Sequence, residues 1–187
     1  DYARFRRLMT EEVNAAILGA LEGGAKEIVV SDAHHTMRTI LIEELHPQAQ
    51  LVSGSPKPLS MMQGIDTSFD AVFFTGYHSG AGRNGILSHT VNGFAFYGIR
   101  VNGIDCAEAT LYGAYAGSLG VPVVMLSGDD QLQAQMADAF PLAEFAVVKT
   151  ALSQRAARAL SPENARARIR AAAAAGLARR EVCRPYV

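Results

Sequence analysis

The chain has 187 residues, of which 49% are hydrophobic and 19% are charged, and its formal net charge is −1. This length suits one domain with a full core, and the composition is that of a soluble globular protein. A near-neutral charge argues against a nucleic-acid surface, and no apolar run reaches the roughly 20 residues that a membrane-spanning helix needs.

The first half of the chain alternates segments of helical and strand character. Thr10 can cap the first helix, and Gly23 and Gly24 follow its last residue. Residues 71–75 are apolar throughout, which is typical of a strand buried on both faces. The predicted elements are a helix at 11–22, a strand at 27–31, a helix at 36–45, a strand at 51–52, one or two helical turns at 58–63 and a strand at 71–75.

The second half begins with a long loop, residues 76–92, that is rich in Gly, Ser, His and Asn. Loops of this length and composition usually carry function. Asn102-Gly103 is the strongest short signal for a β-hairpin, and Ser161-Pro162 is a typical helix start. The predicted elements are hairpin strands at 94–101 and 104–106, a helix at about 107–119, a strand at 121–126, a helix at 131–140, a strand at 145–149 and a helix from 162 to about 180.

Strands that alternate with helices predict a largely parallel sheet with helices on both faces. The predicted fold class is therefore α/β, a three-layer sandwich with a mostly parallel sheet and one inserted β-hairpin. Residues 1–187 are expected to form a single domain. In such folds, functional sites lie where loops converge at the carboxyl ends of the strands.

Three histidines lie close to the ends of predicted strands, and one glutamate follows at a helix start. His34 comes shortly after the strand at 27–31, His78 follows the strand at 71–75, and His89 lies in the loop beyond. Glu108 would lie in the first turn of the next helix. Imidazoles and a carboxylate that converge in one crevice are suitable ligands for a catalytic zinc ion.

Each of these residues also has a purely structural interpretation. Asp32, two residues before His34, could orient a metal-bound imidazole or could simply cap the next helix. His78 could be a structural histidine, and His89 could hydrogen-bond only its own loop. Glu108 could serve only to stabilise the helix dipole. The functional hypothesis therefore depends on the convergence of these side chains and on no single one.

Two further motifs suggest other functions. Residues 80–85 match the letters of the dinucleotide fingerprint, but residues 86–89 lack the helical periodicity that this motif requires. Cys106 could be the nucleophile of a cysteine amidohydrolase, although small buried cysteines usually pack inertly. The alternatives are thus a non-enzymatic or nucleotide-binding α/β module, and a cysteine amidohydrolase that uses Cys106.

A series of short segments forms a recognisable pattern through its order and spacing. The segments are 8–12, 31–34, 45–47, 52–58, 76–78, 87–89, 107–108, 128–130 and 160–162. Over nearly the whole chain, this pattern resembles the zinc-dependent D-aminopeptidases of the dipeptide-permease operon type, called DppA.

The resemblance implies a metal-dependent aminopeptidase that hydrolyses short peptides with an N-terminal D-amino acid, such as D-alanyl peptides, through a zinc-activated water. By matching motifs, His34, His78 and Glu108 correspond to the metal ligands, and His89 corresponds to the catalytic histidine. No role is implied for His35. Members of the family form stacked rings of ten subunits, so the expected partners are copies of the chain and small peptides, with no nucleic acid and no membrane.

The sequence departs from the family pattern at both ends. Family members carry an Asp-x-Glu pair on an N-terminal strand, which supplies zinc ligands, and this sequence contains no such pair. Family members also continue into further strands beyond residues 184–187. We therefore expect two zinc ions per subunit if the N-terminal ligands exist, and otherwise at most one.

The two cysteines, Cys106 and Cys183, lie far apart in the sequence. Two distant cysteines do not make a disulfide framework, and a reducing compartment fits such a chain best. We therefore expect a cytoplasmic location.

Overall fold

The alternation of helices and strands is present in the computed structural model, which describes residues 1–187. The α-helices are α1 (Tyr2–Glu22), α2 (Glu108–Ser118), α3 (Asp130–Met136) and α4 (Pro162–Ala178). The strands are β1 (Ile28–Ser31), β2 (Ala49–Val52), β3 (Val72–Phe74), β4 (Arg100–Val101), β5 (Ile104–Asp105), β6 (Val123–Asp129), β7 (Glu144–Ser153) and β8 (Ala156–Ala159). Short 3-10 turns lie at Ile42–Glu44 and Ser60–Met62. No helix has both the length and the apolar character needed to cross a bilayer.

The strands form three separate ladders. The largest has the order β3-β6-β7-β8, in which β3, β6 and β7 are parallel and β8 is antiparallel to β7. Strands β1 and β2 form a parallel pair, and β4 and β5 form a short antiparallel hairpin. The predicted α/β class with a mostly parallel sheet is confirmed, and the predicted hairpin forms a ladder of its own.

Strand β6 lies at the centre of the hydrophobic core, and all of its residues are buried. Adjacent residues of a strand point to opposite faces of the sheet. Met125 packs with Ile169 of α4 on one face, whereas Leu126 packs with Ala109 of α2 and Leu132 of α3 on the other. Helices therefore cover both faces, and the carboxyl end of β6 leads directly to the candidate site.

The start predicted for the first helix is wrong. Asp1 caps α1 by accepting a hydrogen bond from the main-chain N–H of Ala3, so the helix begins at Tyr2 and not at residue 11. Thr10 is buried inside the helix, where its hydroxyl donates to the carbonyl of Arg6 and accepts from the N–H of Leu41. This hydroxyl therefore links α1 to the loop at Leu41, and Thr10 does not cap the start of a helix.

The helix predicted at residues 36–45 is also wrong, since only the 3-10 turn at Ile42–Glu44 forms there. The Asp32 carboxylate accepts hydrogen bonds from the N–H groups of Thr39 and Ile40, at 2.5 and 2.7 Å. These donors are therefore not available to carbonyls one turn earlier. His35 and Met37 have φ values of 50° and 58°, which an α-helix does not allow.

The other predicted elements are present, with shifted ends. Asn102 and Gly103 form the hairpin turn with φ values of 52° and 80°, as a type I′ turn requires. The first hairpin strand begins at Arg100 and not at residue 94, β6 continues to Asp129, β7 continues to Ser153, and α3 ends at Met136. Strand β8 was not predicted, because its residues are exposed and show no apolar alternation.

Replacing Ile169 with alanine should destabilise the fold, because this side chain is fully buried between α4 and the sheet. The lost apolar contacts and the resulting cavity should lower the free energy of unfolding by about 2–5 kcal/mol. Urea denaturation followed by circular dichroism measures this change. Leu152→Ala is the control, because Leu152 is 71% exposed and its loss should change stability by less than about 0.5 kcal/mol. Equal losses in both variants would contradict this location of the core.

Candidate functional site

Asp32 directly follows β1 and determines the path of the loop that carries His34. Its carboxylate is buried and accepts hydrogen bonds from the main-chain N–H groups of His34, Thr39 and Ile40. The contact with His34 is to its backbone and not to its ring. Asp32 therefore orders the loop from residue 33 to residue 40, which is closer to the structural interpretation of this residue than to the metal-orienting one.

The imidazole of His34 lies at the surface of this loop. Its ring packs edge-on against Phe5 with centroids 5.2 Å apart, and the ring of His35 lies 6.2 Å away. Partial burial lowers the pKa of His34, and the charges of His35 and His89 lower it further, while Asp32 opposes them. A lowered pKa favours the neutral imidazole, which is the form that binds metal ions.

His78 follows β3 and has a defined tautomer. Its Nδ1 lies 2.9 Å from the carbonyl oxygen of Ile86. Because a carbonyl can only accept, Nδ1 must carry the proton, and Nε2 keeps a free lone pair. Burial lowers the pKa of His78 to about 4, with further lowering by the charges of His89 and Lys149. The ring is therefore neutral and can act as a ligand through Nε2, in the arrangement that metal-binding histidines commonly show.

His89 and Glu108 contact each other directly. Nε2 of His89 lies 3.4 Å from Oε1 of Glu108, and Nδ1 lies 2.6 Å from the carbonyl oxygen of Leu87. Glu108 is buried in the first turn of α2, and its Oε1 also accepts the N–H of Val91 at 2.9 Å. Burial raises the pKa of Glu108, and this rise is opposed by His89 and by the hydrogen bond from Val91. Since Nδ1 donates to Leu87, Nε2 is the ring nitrogen that faces the carboxylate.

The loop holds His89 between two residues with unusual backbone conformations. Leu87 and Val91 have φ values of 52° and 63°, which side chains of this kind rarely adopt. Such conformations cost on the order of 1–3 kcal/mol each and persist only where the surroundings impose them. The N–H of Leu87 donates to the carbonyl of Gln154, and the N–H of Val91 donates to Glu108. Contacts from two other elements thus fix the position of His89.

Asp129, at the end of β6, is a site residue whose individual role was not predicted from the sequence. One carboxylate oxygen accepts the N–H of Ile86 at 2.6 Å, and the other accepts the N–H of Leu132 at 2.8 Å as the cap of α3. Because the carbonyl of Ile86 orients His78, Asp129 positions that histidine indirectly. A carboxylate that ends a buried strand just before a helix was the available sequence signal.

The role of Lys57, which lies in the segment 52–58, was likewise not predicted from the sequence. Its Nζ donates to the hydroxyl of Ser31 at 2.8 Å and to the carbonyl of Asp32 at 2.7 Å. It thus fixes the end of β1 from the loop that follows β2. Nothing in the sequence pairs Lys57 with that strand, because both acceptors lie more than twenty positions earlier in the chain.

Three of the four candidate residues are brought together around His89. The ring of His78 lies 5.0 Å from the ring of His89, and Glu108 contacts Nε2 of His89. The ring of His34 lies instead beside Phe5 and His35. As arranged, no three His, Cys, Asp or Glu side chains could hold a metal ion together. The donor chemistry nevertheless fits zinc, since two imidazoles and a carboxylate form a known catalytic set and His78 has a free Nε2. Joint ligation requires the side chains to move closer.

The other motifs identified in the sequence do not join this cluster. Residues 80–85 form turns, and no helix follows them. The buried thiol of Cys106 lies 3.4 Å from the carbonyl of Ile104, to which it donates. Two surface cavities, of about 480 and 180 Å³, lie against α4 and away from all four candidate residues.

Comparison with known proteins identifies clear relatives. The sequence model of peptidase family M55, described as D-aminopeptidase, matches residues 1–187. A D-aminopeptidase of Bacillus subtilis (strain 168) is 38% identical over 168 residues, covering 88% of this chain. The chain spans about 60% of the length of that curated relative. A solved structure superposes on this chain with a TM-score of 0.93 at 34% sequence identity. It is described as Zn-dependent D-aminopeptidase DppA from Bacillus subtilis, a self-compartmentalizing protease. The match covers 98% of this chain and 67% of that chain.

Replacing Asp32 with asparagine should loosen the loop from residue 33 to residue 40. The amide replaces one acceptor oxygen by an NH2 donor that faces main-chain N–H groups, and an unpaired buried N–H costs about 1–3 kcal/mol. Hydrogen–deuterium exchange should become faster at Thr39 and Ile40, and the free energy of unfolding should fall. Asp66→Asn is the matched control, because that carboxylate is exposed and bonds only within its own turn, to Ser68. Native exchange rates at Thr39 and Ile40 in Asp32→Asn would contradict the role given to Asp32.

His78 should make the stability of the metal-free protein depend on pH. Its pKa is about 4 in the folded protein, against an ordinary value of 6.5. Between these values the unfolded chain binds a proton that the folded chain does not, so stability should fall as the pH drops from about 6.5 to about 4. His78→Asn keeps an N–H donor for Ile86 but cannot titrate, so it should lose less stability over this interval. Denaturation at a series of pH values in the presence of a chelator measures the difference.

Ser79→Ala is the control for this pH dependence. It lies in the same loop, its hydroxyl has no hydrogen-bond partner, and it carries no titrating group. Its stability should follow the native pH profile. Parallel profiles for the native protein and His78→Asn would show that His78 does not titrate in the way described.

Proposed function

Because the chain belongs to the D-aminopeptidase family, we propose that it is a zinc-dependent aminopeptidase that hydrolyses short peptides with an N-terminal D-amino acid. The observation that carries this proposal is the cluster around His89, whose ring lies 5.0 Å from that of His78 and whose Nε2 lies 3.4 Å from Glu108. Zinc-dependent peptide hydrolysis needs groups that bind the cation and a group that moves a proton. This cluster contains both kinds of group.

His34, His78 and Glu108 are the proposed metal ligands. Support comes from the free Nε2 of His78, from the position of the Glu108 carboxylate beside His89, and from the lowered pKa of both histidines. When bound, zinc would polarise the scissile carbonyl as a Lewis acid and lower the pKa of a water to about 7. A second ion in each subunit would depend on further ligands, such as those that the family supplies from an Asp-x-Glu pair.

His89 is the proposed catalytic residue. Its Nδ1 is committed to the carbonyl of Leu87, so only Nε2 can exchange a proton with a reacting group. From this position His89 can deliver a proton to the leaving amine or donate a hydrogen bond to the developing oxyanion. The carboxylate of Glu108 faces the same nitrogen at 3.4 Å.

Self-assembly is part of the proposal. The solved relative is described as a self-compartmentalizing protease, and we propose that copies of this chain likewise form a homo-oligomer, a decamer of stacked rings, that admits small peptides. The preference for D-residues rests on family membership alone. A cytoplasmic location remains a prediction from the two free cysteines.

The two alternative functions have less support from the structure. A nucleotide site at residues 80–85 would need a helix that offers its N-terminal N–H groups to phosphate, and no helix follows this loop. A cysteine hydrolase would need an imidazole beside Cys106, but that thiol donates to the carbonyl of Ile104.

Replacing His89 with alanine should remove peptidase activity and leave zinc in place. General acid–base catalysis contributes about 10²–10⁴-fold, so kcat for a D-alanyl peptide should fall by about this factor, while elemental analysis should find native zinc content. Glu108→Gln should lower zinc content instead, because an amide is a weaker ligand, although it can still accept the N–H of Val91. His35→Ala is the matched control and should keep both zinc and activity, since His35 carries no role.

Several outcomes would revise this assignment. Loss of zinc from His89→Ala would make His89 a ligand. Equal hydrolysis of L-alanyl and D-alanyl peptides would contradict the proposed substrate preference. Activity that survives chelation but is lost on thiol alkylation and in Cys106→Ala would favour the cysteine hydrolase, whereas nucleotide binding without any peptidase activity would favour the binding module.

A further inference from the structure

Thr90, the residue after His89, has a polar side chain that is completely buried. Its hydroxyl donates a hydrogen bond to the carbonyl of Cys106 at 2.9 Å and accepts one from the N–H of Ala81 at 3.1 Å. A hydroxyl that both donates and accepts in the protein interior is held in one orientation, because losing either partner would leave a buried polar group unpaired. The hydroxyl of Thr90 therefore joins three separate stretches of backbone.

These three stretches carry the three residues that form the cluster. Each bonded residue lies within three positions of a cluster residue in the sequence, in the pairs His78 and Ala81, His89 and Thr90, and Glu108 and Cys106. Residues so close along a chain cannot move far independently, since consecutive Cα atoms are held about 3.8 Å apart. The separations among His78, His89 and Glu108 therefore depend on this one hydroxyl.

The three stretches also pack closely against one another at Thr90. A Cβ atom on Gly80 would lie only 3.0 Å from the carbonyl oxygen of Cys106, the same oxygen that accepts the Thr90 hydroxyl. The main-chain N–H of His89 donates to the carbonyl of Ser79 at 3.2 Å. Since only a glycine allows so close an approach, the stretches have little room to shift while the hydrogen bonds of Thr90 are intact.

We propose that Thr90 is a positioning residue, whose hydroxyl sets the distances among His78, His89 and Glu108 that zinc binding and proton transfer need. The hydrogen bond from the N–H of Val91 to Glu108 links only two of the stretches, whereas the hydroxyl of Thr90 links all three. The effect on zinc and on turnover rests on the proposed function. The effect on the backbone does not, so the two can be tested separately.

The cluster needs such support because its side chains must rearrange to hold a metal ion together. As arranged, the rings of His78 and His89 are 5.0 Å apart, and Nε2 of His89 lies 3.4 Å from Glu108. A backbone fixed by Thr90 confines the rearrangement to side-chain rotations, so the ligands meet in one geometry. Loss of the groups that orient metal ligands typically costs about 10–100-fold in metal affinity or activity.

Replacing Thr90 with valine tests this role, because valine keeps the shape of the side chain and removes the hydroxyl. In protein treated with a chelator, hydrogen–deuterium exchange should become faster at Ala81, whose N–H loses its acceptor. It should also become faster at Val91, because the stretch that holds His89 is no longer tied to the start of α2. Thr90→Ser keeps the hydroxyl and should show native exchange at both positions.

Thr10→Val is the matched control. Thr10 is also completely buried, and its hydroxyl likewise donates to a carbonyl, that of Arg6, and accepts a main-chain N–H, that of Leu41. The loss of this hydroxyl should lower stability toward urea by a similar amount and should speed exchange at Leu41. Exchange at Val91 should stay native, because the hydrogen bonds of Thr10 lie between α1 and Leu41.

Zinc binding and turnover test the consequence for function. In Thr90→Val, the zinc affinity measured by competition with a chelator, and kcat for a D-alanyl peptide at saturating zinc, should each fall at least about tenfold. KM should change by less than about twofold, since a buried side chain does not touch the substrate. Thr90→Ser and Thr10→Val should keep native zinc affinity and native kcat.

Three outcomes overturn the positioning role. They are native exchange at Val91 in Thr90→Val, equal losses of kcat in Thr90→Val and Thr10→Val, and a loss in Thr90→Ser as large as that in Thr90→Val. Thr90→Cys has a weaker donor and should fall between Thr90→Ser and Thr90→Val, and it replaces the valine variant if that protein does not fold. Faster exchange at Val91 in a protein without peptidase activity would support the positioning role and overturn the proposed function.

Discussion

The arrangement of the site depends on one requirement, that main-chain N–H groups in buried loops must have hydrogen-bond acceptors. Three carboxylates meet this requirement at the loops around the candidate site. Asp32 accepts from Thr39 and Ile40, Asp129 accepts from Ile86, and Glu108 accepts from Val91. An unpaired buried donor costs about 1–3 kcal/mol, which is a large fraction of the net stability of a domain. The loops that carry the histidines follow the paths that these carboxylates allow.

The three carboxylates accept different numbers of main-chain hydrogen bonds. Asp32 accepts three main-chain hydrogen bonds and Asp129 accepts two, one on each of its oxygens. Glu108 accepts one from the backbone, and its other contact is the imidazole of His89. Burial raises the pKa of Glu108, and a nearby cation would lower it again. Of the three, Glu108 has the most remaining capacity for a ligand, which is what its proposed role in metal binding requires.

The limits of sequence-based prediction follow from the same contacts. Strands such as β6 and helices such as α4 were predicted because apolar runs, spacing and capping residues are local signals. The rule that sites form at the carboxyl ends of strands led us to expect His34, His78, His89 and Glu108 close together. His78 and Glu108 do lie beside His89, whereas the ring of His34 lies beside Phe5 and His35. The helix at residues 36–45 was predicted wrongly, because a carboxylate several positions away captures its N–H groups. The roles of Asp129 and Lys57 were missed for a related reason, since their partners are main-chain atoms of distant segments.

The carboxylates of Asp32, Asp129 and Glu108 accept hydrogen bonds from main-chain N–H groups and not from side chains. This limits which substitutions the loops around the site can tolerate. Every amino acid except proline presents the same amide, so the hydrogen bonds at Thr39, Ile40, Ile86 and Val91 do not depend on the identity of these side chains. Proline is barred from all four positions, because it has no N–H to donate.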